Sequence, residues 1–216
     1  MGAGSVLQVS GDEALLEVMR AIASGDAKHV AALLRTHEGL ASASLLHGAS
    51  RQESIDFFLG DISHHVYRGD TAVHVAAAAY EAAMVQKLVL GGGSVEAVNR
   101  RGARPLHYAV DGGPGSPRWD PDAQRRTVAT LLELGADANA SDKNGTTPLL
   151  RAVRNRCAAA VEELLDAGAN PQSRNNRGST ALRIASWTTG KSGSGSREAQ
   201  VQQREIIRLL RAAHAS

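Results

Sequence analysis

GDTAVHVA, at residues 69–76, is the first of four aligned octapeptides in this chain. The other three are GARPLHYA at 102–109, GTTPLLRA at 145–152 and GSTALRIA at 178–185. The first two begin 33 residues apart, as do the last two, and ten inserted residues widen the middle interval to 43. A period of this length predicts a stacked array of repeats, because one unit cannot bury its own apolar face.

A second motif keeps the same period. It is a pair of apolar residues, found at Leu88-Val89, Leu131-Leu132, Leu164-Leu165 and Leu209-Leu210. A Gly-Gly or Gly-Ala pair follows the first three, at 92–93, 135–136 and 168–169. The two motifs together resemble the ankyrin repeat, which is marked by Thr-Pro-Leu-His-x-Ala followed by Leu-Leu-x-x-Gly-Ala. The resemblance covers four clear repeats at 69–213 and, more loosely, a degenerate N-terminal capping repeat within 12–40.

The resemblance implies an all-α fold, an ankyrin-type α-solenoid of stacked helix pairs with protruding hairpin loops. Local sequence agrees with it. Residues that can cap or open the first helix are Thr71, Thr147, Thr180, Pro105 and Pro148. Glycines placed to end the second helix in a left-handed conformation are Gly92, Gly135 and Gly168.

The chain divides into three predicted parts. We expect a flexible N-terminus at 1–11, N-terminal capping helices and a connector at 12–68, and four ankyrin repeats at 69–216. Within the second part, Gly25-Asp26 separates two apolar helical faces. Residues 41–68 do not follow the repeat, but their large apolar side chains are expected to pack against the first full repeat. These side chains are Phe57, Phe58, Leu59, Ile62, Val66 and Tyr67.

Composition and charge limit the partners and the cellular compartment that we expect. The formal net charge of +2 does not by itself indicate nucleic-acid binding, and one cysteine excludes an internal disulfide framework. No apolar run has the length of a membrane span, and the first residues lack the pattern of a signal peptide or a myristoylation site. We therefore expect a cytoplasmic monomer without membrane contact.

Two insertions depart from the repeat, near 111–122 and near 188–199. Both fall between the first and second helix of their unit, in alternate repeats, so we expect them to project from the same edge. Loops added to a rigid scaffold often carry function, although lengthening a surface loop costs little stability. Trp119 is the candidate binding residue here, and a ligand-binding or enzymatic site at the insertions remains one alternative.

No catalytic, metal-binding or cofactor site is predicted, and the protein is not expected to be an enzyme. Residues 185–192 loosely match a phosphate-binding loop, but a helix precedes Lys191 and a Gly/Ser stretch follows it. Cys157 has no evident His and acid partners. His74 and His107 share one repeat position, where the resemblance implies that imidazoles tie neighbouring loops together.

The resemblance also implies a concave groove, formed by the loop tips and the exposed side of the first helices, that grips partner proteins. By register, the candidate partner-binding residues are Tyr67, Arg68, Arg100, Arg101, Tyr108, Lys143, Arg151, Arg154, Arg177 and Trp187. Their positive charge favours an acidic protein partner, and Arg, Tyr and Trp are the usual hot-spot residues. Nucleic-acid binding is a further alternative, disfavoured because Asp70, Asp111 and Asp142 interrupt the row. The sequence thus predicts a non-catalytic scaffold or adaptor module.

Overall fold

Successive pairs of helices stack along the chain in the computed structural model, which describes residues 11–50, 54–187 and 195–215. The helices are α1 (Gly11–Ala23), α2 (Ala27–Thr36), α3 (Ala72–Ala78), α4 (Ala82–Leu90), α5 (Pro105–Ala109), α6 (Pro121–Glu133), α7 (Pro148–Asn155), α8 (Ala158–Asp166), α9 (Ala181–Ala185) and α10 (Arg197–Ala215). First helices pack on first helices, as in α3–α5–α7–α9, and second helices on second helices, as in α4–α6–α8–α10. The predicted α-solenoid of helix pairs is confirmed.

The local signals for helix ends act as the sequence predicts. The hydroxyl oxygens of Thr147 and Thr180 accept hydrogen bonds from the backbone N–H groups of Leu150 and Arg183, which satisfies a donor in the first turn. Pro105 and Pro148 are the first residues of α5 and α7. After the second helices, Gly92, Gly135 and Gly168 have φ values of +96°, +92° and +82°. In each case the glycine in the left-handed region stands two residues after the last residue of the helix.

The leucine pairs supply the centre of the core, but their two members differ. Leu88, Leu131 and Leu164 are fully buried, whereas the residue after each is only partly buried. In the last unit the order reverses, since Leu210 is fully buried and Leu209 partly buried. The core is continuous from α1 to α10, as expected of units that each bury their neighbour's apolar face.

The connector lies against the first full repeat. Leu45 donates its backbone N–H to the carbonyl of Asp70 at 2.9 Å, and Leu59 and Val66 are buried as predicted. Phe58 is 42% exposed, so its predicted burial is wrong. It belongs to a two-stranded antiparallel hairpin of β1 (Phe58–Leu59) and β2 (His64–His65), joined by a 3₁₀ turn at Gly60–Ile62. The side chains of a strand alternate between faces, so Phe58 points away when Leu59 points inward.

The first insertion is packed at its beginning, while its middle, residues 115–118, is exposed. Its last two residues, 121 and 122, begin α6, which has 13 residues where α4 and α8 have nine. The beginning of the loop packs on the next repeat, where Cys157 donates its S–H to the carbonyl of Gly112 at 3.0 Å. Gly113 and Pro114 are buried there.

Some predictions fall on residues outside the described ranges. These are the flexible segment 1–11, apart from its last residue, and the second insertion with Lys191, of which 188–194 are outside. The domain boundaries at 12 and 69 stay predictions. No helix in the described part of the chain combines the length and the apolar character needed to span a membrane.

Candidate functional site

Asn and Asp side chains shape the loop tips that carry the basic residues. One such side chain stands three positions before the repeat glycine, and its Oδ1 accepts two backbone N–H bonds of 2.8–3.0 Å. The bonds run from Arg101 and Ala103 to Asn99, from Asn144 and Thr146 to Asp142, and from Arg177 and Ser179 to Asn175. This role was not predicted from the sequence, although Asn or Asp recurs at this position with the repeat period.

The loops are also joined from unit to unit. Backbone N–H groups donate across neighbouring tips, from Arg100 to the Arg68 carbonyl at 2.8 Å and from Lys143 to the Arg101 carbonyl at 2.9 Å. A third such bond links Asn176 to the Asn144 carbonyl at 2.9 Å. The basic residues therefore sit on a continuous row of tied loops.

Two buried histidines fasten the loops to the helices, as the resemblance implies. His74 Nε2 lies 3.2 Å from the carbonyl oxygen of Ala103, and His107 Nε2 lies 3.0 Å from that of Thr146. In each ring Nδ1 accepts a backbone N–H bond of 3.2 Å, so Nε2 carries the proton and donates. Burial lowers the pKa of both rings, that of His107 to about 4.

Seven of the ten predicted partner-binding residues line one cleft of about 620 Å³, which we call the basic groove. They are Arg100, Arg101, Lys143, Arg151, Arg154, Arg177 and Trp187. All except Arg151 are exposed, including Trp187 at 45%. The groove thus presents five accessible cationic side chains and one indole along three successive loop tips and the helices below them.

Two of the three aspartates predicted to interrupt the row are buried. Asp70 is fully buried and Asp142 is 8% exposed. Arg151 lies between two carboxylates, with Nη1 at 3.1 Å from Asp111 Oδ2 and Nη2 at 3.4 Å from Asp142 Oδ2. Arg151 is therefore largely compensated, and its side chain is only 12% exposed. Its side chain links two repeats and offers a partner little surface to contact.

Tyr108 is a correction to the predicted site. It is 2% exposed, its hydroxyl donates to Asp70 Oδ2 at 2.8 Å, and that hydroxyl accepts a bond from Asn99 Nδ2 at 2.9 Å. The His64 ring of the connector hairpin lies over it, with ring centroids 4.5 Å apart. Because the connector covers this part of the concave face, a partner in the basic groove cannot reach Tyr108.

Tyr67 and Arg68 lie beside the basic groove rather than in it. The guanidinium carbons of Arg101 and Arg100 are 4.1 and 5.2 Å from the Tyr67 ring centroid, within the range of cation–π attraction. Arg68 is exposed at the first loop tip. Tyr67 thus holds the two arginines at the entrance of the groove.

Trp119 has a structural explanation. Its Nε1–H donates to Gln124 Oε1 at 2.9 Å, and Gln124 in turn donates to the carbonyl of Ala109 at 3.1 Å. The side chain is partly buried, so the indole helps to hold the insertion on α6. Nearby Cys157 is buried and donates its S–H to the Gly112 carbonyl at 3.0 Å. Burial raises the pKa of this thiol to about 12, which disfavours a nucleophilic role.

A second cleft, of about 410 Å³, lies between the connector turn and the insertion. Its polar lining includes His64, Glu81, Asp111, Arg118 and Asp120. Burial lowers the pKa of His64. Among the described residues, no three His, Cys, Asp or Glu side chains are grouped so that they could hold a metal ion.

This geometry defines a helical-repeat protein whose tied hairpin loops border an open groove. The family model described as ankyrin repeats (many copies) matches residues 131–185. The chain is an ankyrin repeat protein, as its repeated motifs indicate. Ankyrin repeats generally mediate interactions between proteins, and the family is typically not enzymatic.

Several curated proteins are similar to this chain. The B-cell lymphoma 3 protein homolog of Mus musculus is 36% identical over 123 residues, which cover 55% of this chain and 25% of that protein. Ankyrin repeat and SOCS box protein 16 of Mus musculus is 37% identical over 117 residues, covering 53% and 25%. Ankyrin repeat and SOCS box protein 6 of Homo sapiens is 32% identical over 150 residues, covering 65% and 34%. The chain spans about a quarter to a third of these relatives.

Proposed function

We propose that this protein is a non-catalytic adaptor that binds an acidic segment of a partner protein in the basic groove. The observation that carries the proposal is the composition of that groove, where six basic side chains and one carboxylate line a single cleft. The carboxylate is Asp142, which already accepts backbone N–H bonds and faces Arg151. An incoming carboxylate would therefore meet uncompensated positive charge.

The accessible cations are suited to an extended ligand. Arg101 and Arg177 share one repeat position, and Arg100 and Lys143 share the position before it. A chain lying along the groove would meet them in succession. Charged groups arranged in this way accelerate association and favour partners of the opposite charge. We propose that the protein does this as a monomer in the cytoplasm.

The second cleft supports a different candidate, a site for a small ligand at the insertion. It is lined by the connector turn, by the turn between α3 and α4, and by the loop 111–120 with the start of α6. Its carboxylates, Glu81, Asp111 and Asp120, favour a cationic ligand. The basic groove is the stronger candidate because its exposed charges recur with the repeat.

The test is affinity capture of partners by the tagged full chain, followed by binding kinetics with the purified partner. The double variant R100E/R101E should lower the association rate about ten-fold or more at low salt and weaken the salt dependence. The double variant R204E/R211E makes the same charge change at exposed positions of α10 and should bind as the wild type does.

Equal affinities for the wild type and R100E/R101E would refute the groove as the binding site. Loss of binding only when loop 111–120 is altered, for example by Arg118→Glu, would assign the site to the second cleft. A single-stranded oligonucleotide that binds more tightly than the captured protein would favour the nucleic-acid alternative instead.

A further inference from the structure

A small hole opens at the C-terminal end of the basic groove. Its volume is about 40 Å³, and it lies between α7, α9 and α10. The residues that line it are Val153, Arg154, Arg156, Ile184, Ala185, Trp187, Gln203 and Ile206. Arg154, Ile184 and Trp187 also line the basic groove, so the hole adjoins the cleft that we assign to a partner.

The hole offers apolar contact to whatever enters it. Its hydrocarbon walls come from Val153, Ile184 and Ile206. Arg156 donates to Gln203 Oε1 at 2.7 Å and to the Trp187 carbonyl at 3.0 Å, and Gln203 donates to the Ala185 carbonyl at 2.7 Å. Because these polar groups already have partners, they leave few free donors or acceptors for a water molecule in the hole.

The size of the hole suits one aliphatic side chain. A volume of 40 Å³ is about three times the minimum of roughly 10–15 Å³ that a single water needs. The end of a leucine, isoleucine or methionine side chain, about two or three heavy atoms, could enter, and its burial would add affinity in proportion to the apolar area removed from water. Trp187, at 45% exposure, would cover part of such a side chain.

The surroundings of the hole are cationic. Arg154 is exposed at its rim, and Lys143 and Arg177 are exposed farther along the same groove. None of the described residues that line the hole is acidic. An apolar side chain that enters the hole would therefore fit best when its neighbours in sequence carry carboxylates.

The chain's own neighbouring segment has the wrong chemistry to fill the hole. Residues 188–194 are Thr-Thr-Gly-Lys-Ser-Gly-Ser, whose one hydrocarbon stretch longer than a methyl, the stem of Lys191, ends in a positive charge that Arg154 and Arg156 at the hole would repel. We therefore infer that the hole takes one aliphatic side chain from an extended partner segment, with acidic residues on both sides of it. This inference rests on the proposed function and specifies the class of peptide that the groove selects.

The experiment measures fluorescence anisotropy of labelled nonapeptides with the full chain. Each peptide has one central residue with four glutamates before it and four after it. The central residue is leucine in one peptide and alanine in the other. The leucine peptide should bind about ten-fold more tightly or better, because alanine leaves the hole unfilled. Both affinities should fall as salt is raised.

Two variants test whether the preference for the leucine peptide arises at the hole. Ala185→Leu should fill the hole from within and remove the difference between the peptides, while the alanine peptide binds as before. Trp187→Ala, at an exposed position, should reduce the preference without a change of the packed core. Val201→Ala removes an apolar side chain that is 43% exposed on α10 and serves as the control.

The outcomes separate this inference from the proposed function. Salt-sensitive binding of both peptides with equal affinity would overturn the aliphatic site and leave the acidic groove standing. A leucine preference that Trp187→Ala and Ala185→Leu both leave unchanged would also overturn it. Failure of either peptide to bind the wild type would overturn the acidic groove and the aliphatic site together.

Discussion

The hydroxyl of Tyr108 donates a hydrogen bond to Oδ2 of Asp70, and both residues are buried. Asp70 also accepts bonds from the Tyr67 backbone N–H at 2.6 Å and from Asn99 Nδ2 at 2.8 Å. A buried carboxylate is tolerated only when hydrogen bonds replace its hydration. Tyr108 therefore belongs to the support of the first two repeats, and this relationship leads to the first prediction.

Tyr108→Phe should destabilise the fold by about 1–3 kcal/mol, since it leaves Asp70 and Asn99 each one bond short in a buried site. Tyr67→Phe removes the same hydroxyl from a partly exposed ring and should change stability by a few tenths of a kcal/mol. Urea denaturation gives both values. Equal losses for the two variants would contradict the assigned role. So would a Tyr108→Phe protein of wild-type stability.

The two members of each leucine pair should differ in how much stability is lost when they are truncated. Leu131→Ala should cost about 2–5 kcal/mol, as truncations of fully buried leucines do. Leu132→Ala should cost clearly less, because that side chain is only partly buried. In α10 the order should reverse, with Leu210→Ala more damaging than Leu209→Ala. The free energies of unfolding of the four variants test this, and the same order in both helices would be evidence against the reversed register.

The buried histidines predict that stability falls in mild acid. The pKa of His107 is about 4 in the folded protein and about 6.5 in an unfolded chain. Between these values the unfolded chain binds a proton that the folded protein excludes. The unfolded state is therefore favoured as pH falls, and the contribution of His107 is fully present only above about pH 6.5.

From pH 7 to pH 5, His107 alone should account for a loss of about 2 kcal/mol in the free energy of unfolding. His74 shifts in the same direction and adds to it. His107→Gln keeps an N–H donor but does not titrate, so its stability should change less over this interval. Urea denaturation at four or five pH values measures the slopes. Parallel slopes for wild type and variant would show that His107 does not supply this dependence.

Much of the fold was accessible from the sequence because it repeats. The helix pairs, the histidine ties and the basic loop tips all recur with the period, so each copy supports the assignment of the others. The burial of Tyr108 was not accessible, because His64 covers it from a connector that has no counterpart in the other units. For the same reason the packing of loop 111–120 on the third repeat left no periodic signal.

At Asp142, charge alone is a poor guide to the role of the side chain. Its position is shared with Asn99 and Asn175, and all three shape a loop by accepting backbone bonds. Counted only as a negative charge, Asp142 interrupts the basic row. Compared with its two equivalents, it is a loop residue whose carboxylate faces Arg151. Hydrogen-bonding capacity, rather than charge, is what the period preserves at this position.

The packing of the first insertion yields the last prediction. A Cβ added to Gly113 would lie 1.9 Å from the backbone carbonyl oxygen of Asn155, a distance that requires the loop or the end of α7 to move. Gly113→Ala should therefore cost about 2 kcal/mol and lower the melting temperature by about 4–8 °C. Gly60→Ala is the matched control, because no heavy atom lies within 4 Å of its added Cβ.

The same pair of variants separates the two candidate sites. Gly113→Ala loosens the loop that lines the second cleft but lies outside the basic groove. Below its melting temperature the variant should bind an acidic partner with wild-type affinity, as Gly60→Ala should. Thermal unfolding and binding assays on the same preparations test both expectations. A Gly113→Ala protein that melts as the wild type does would contradict the packed loop. A folded Gly113→Ala protein that no longer binds would show that the partner depends on the insertion or on the end of α7 that it touches.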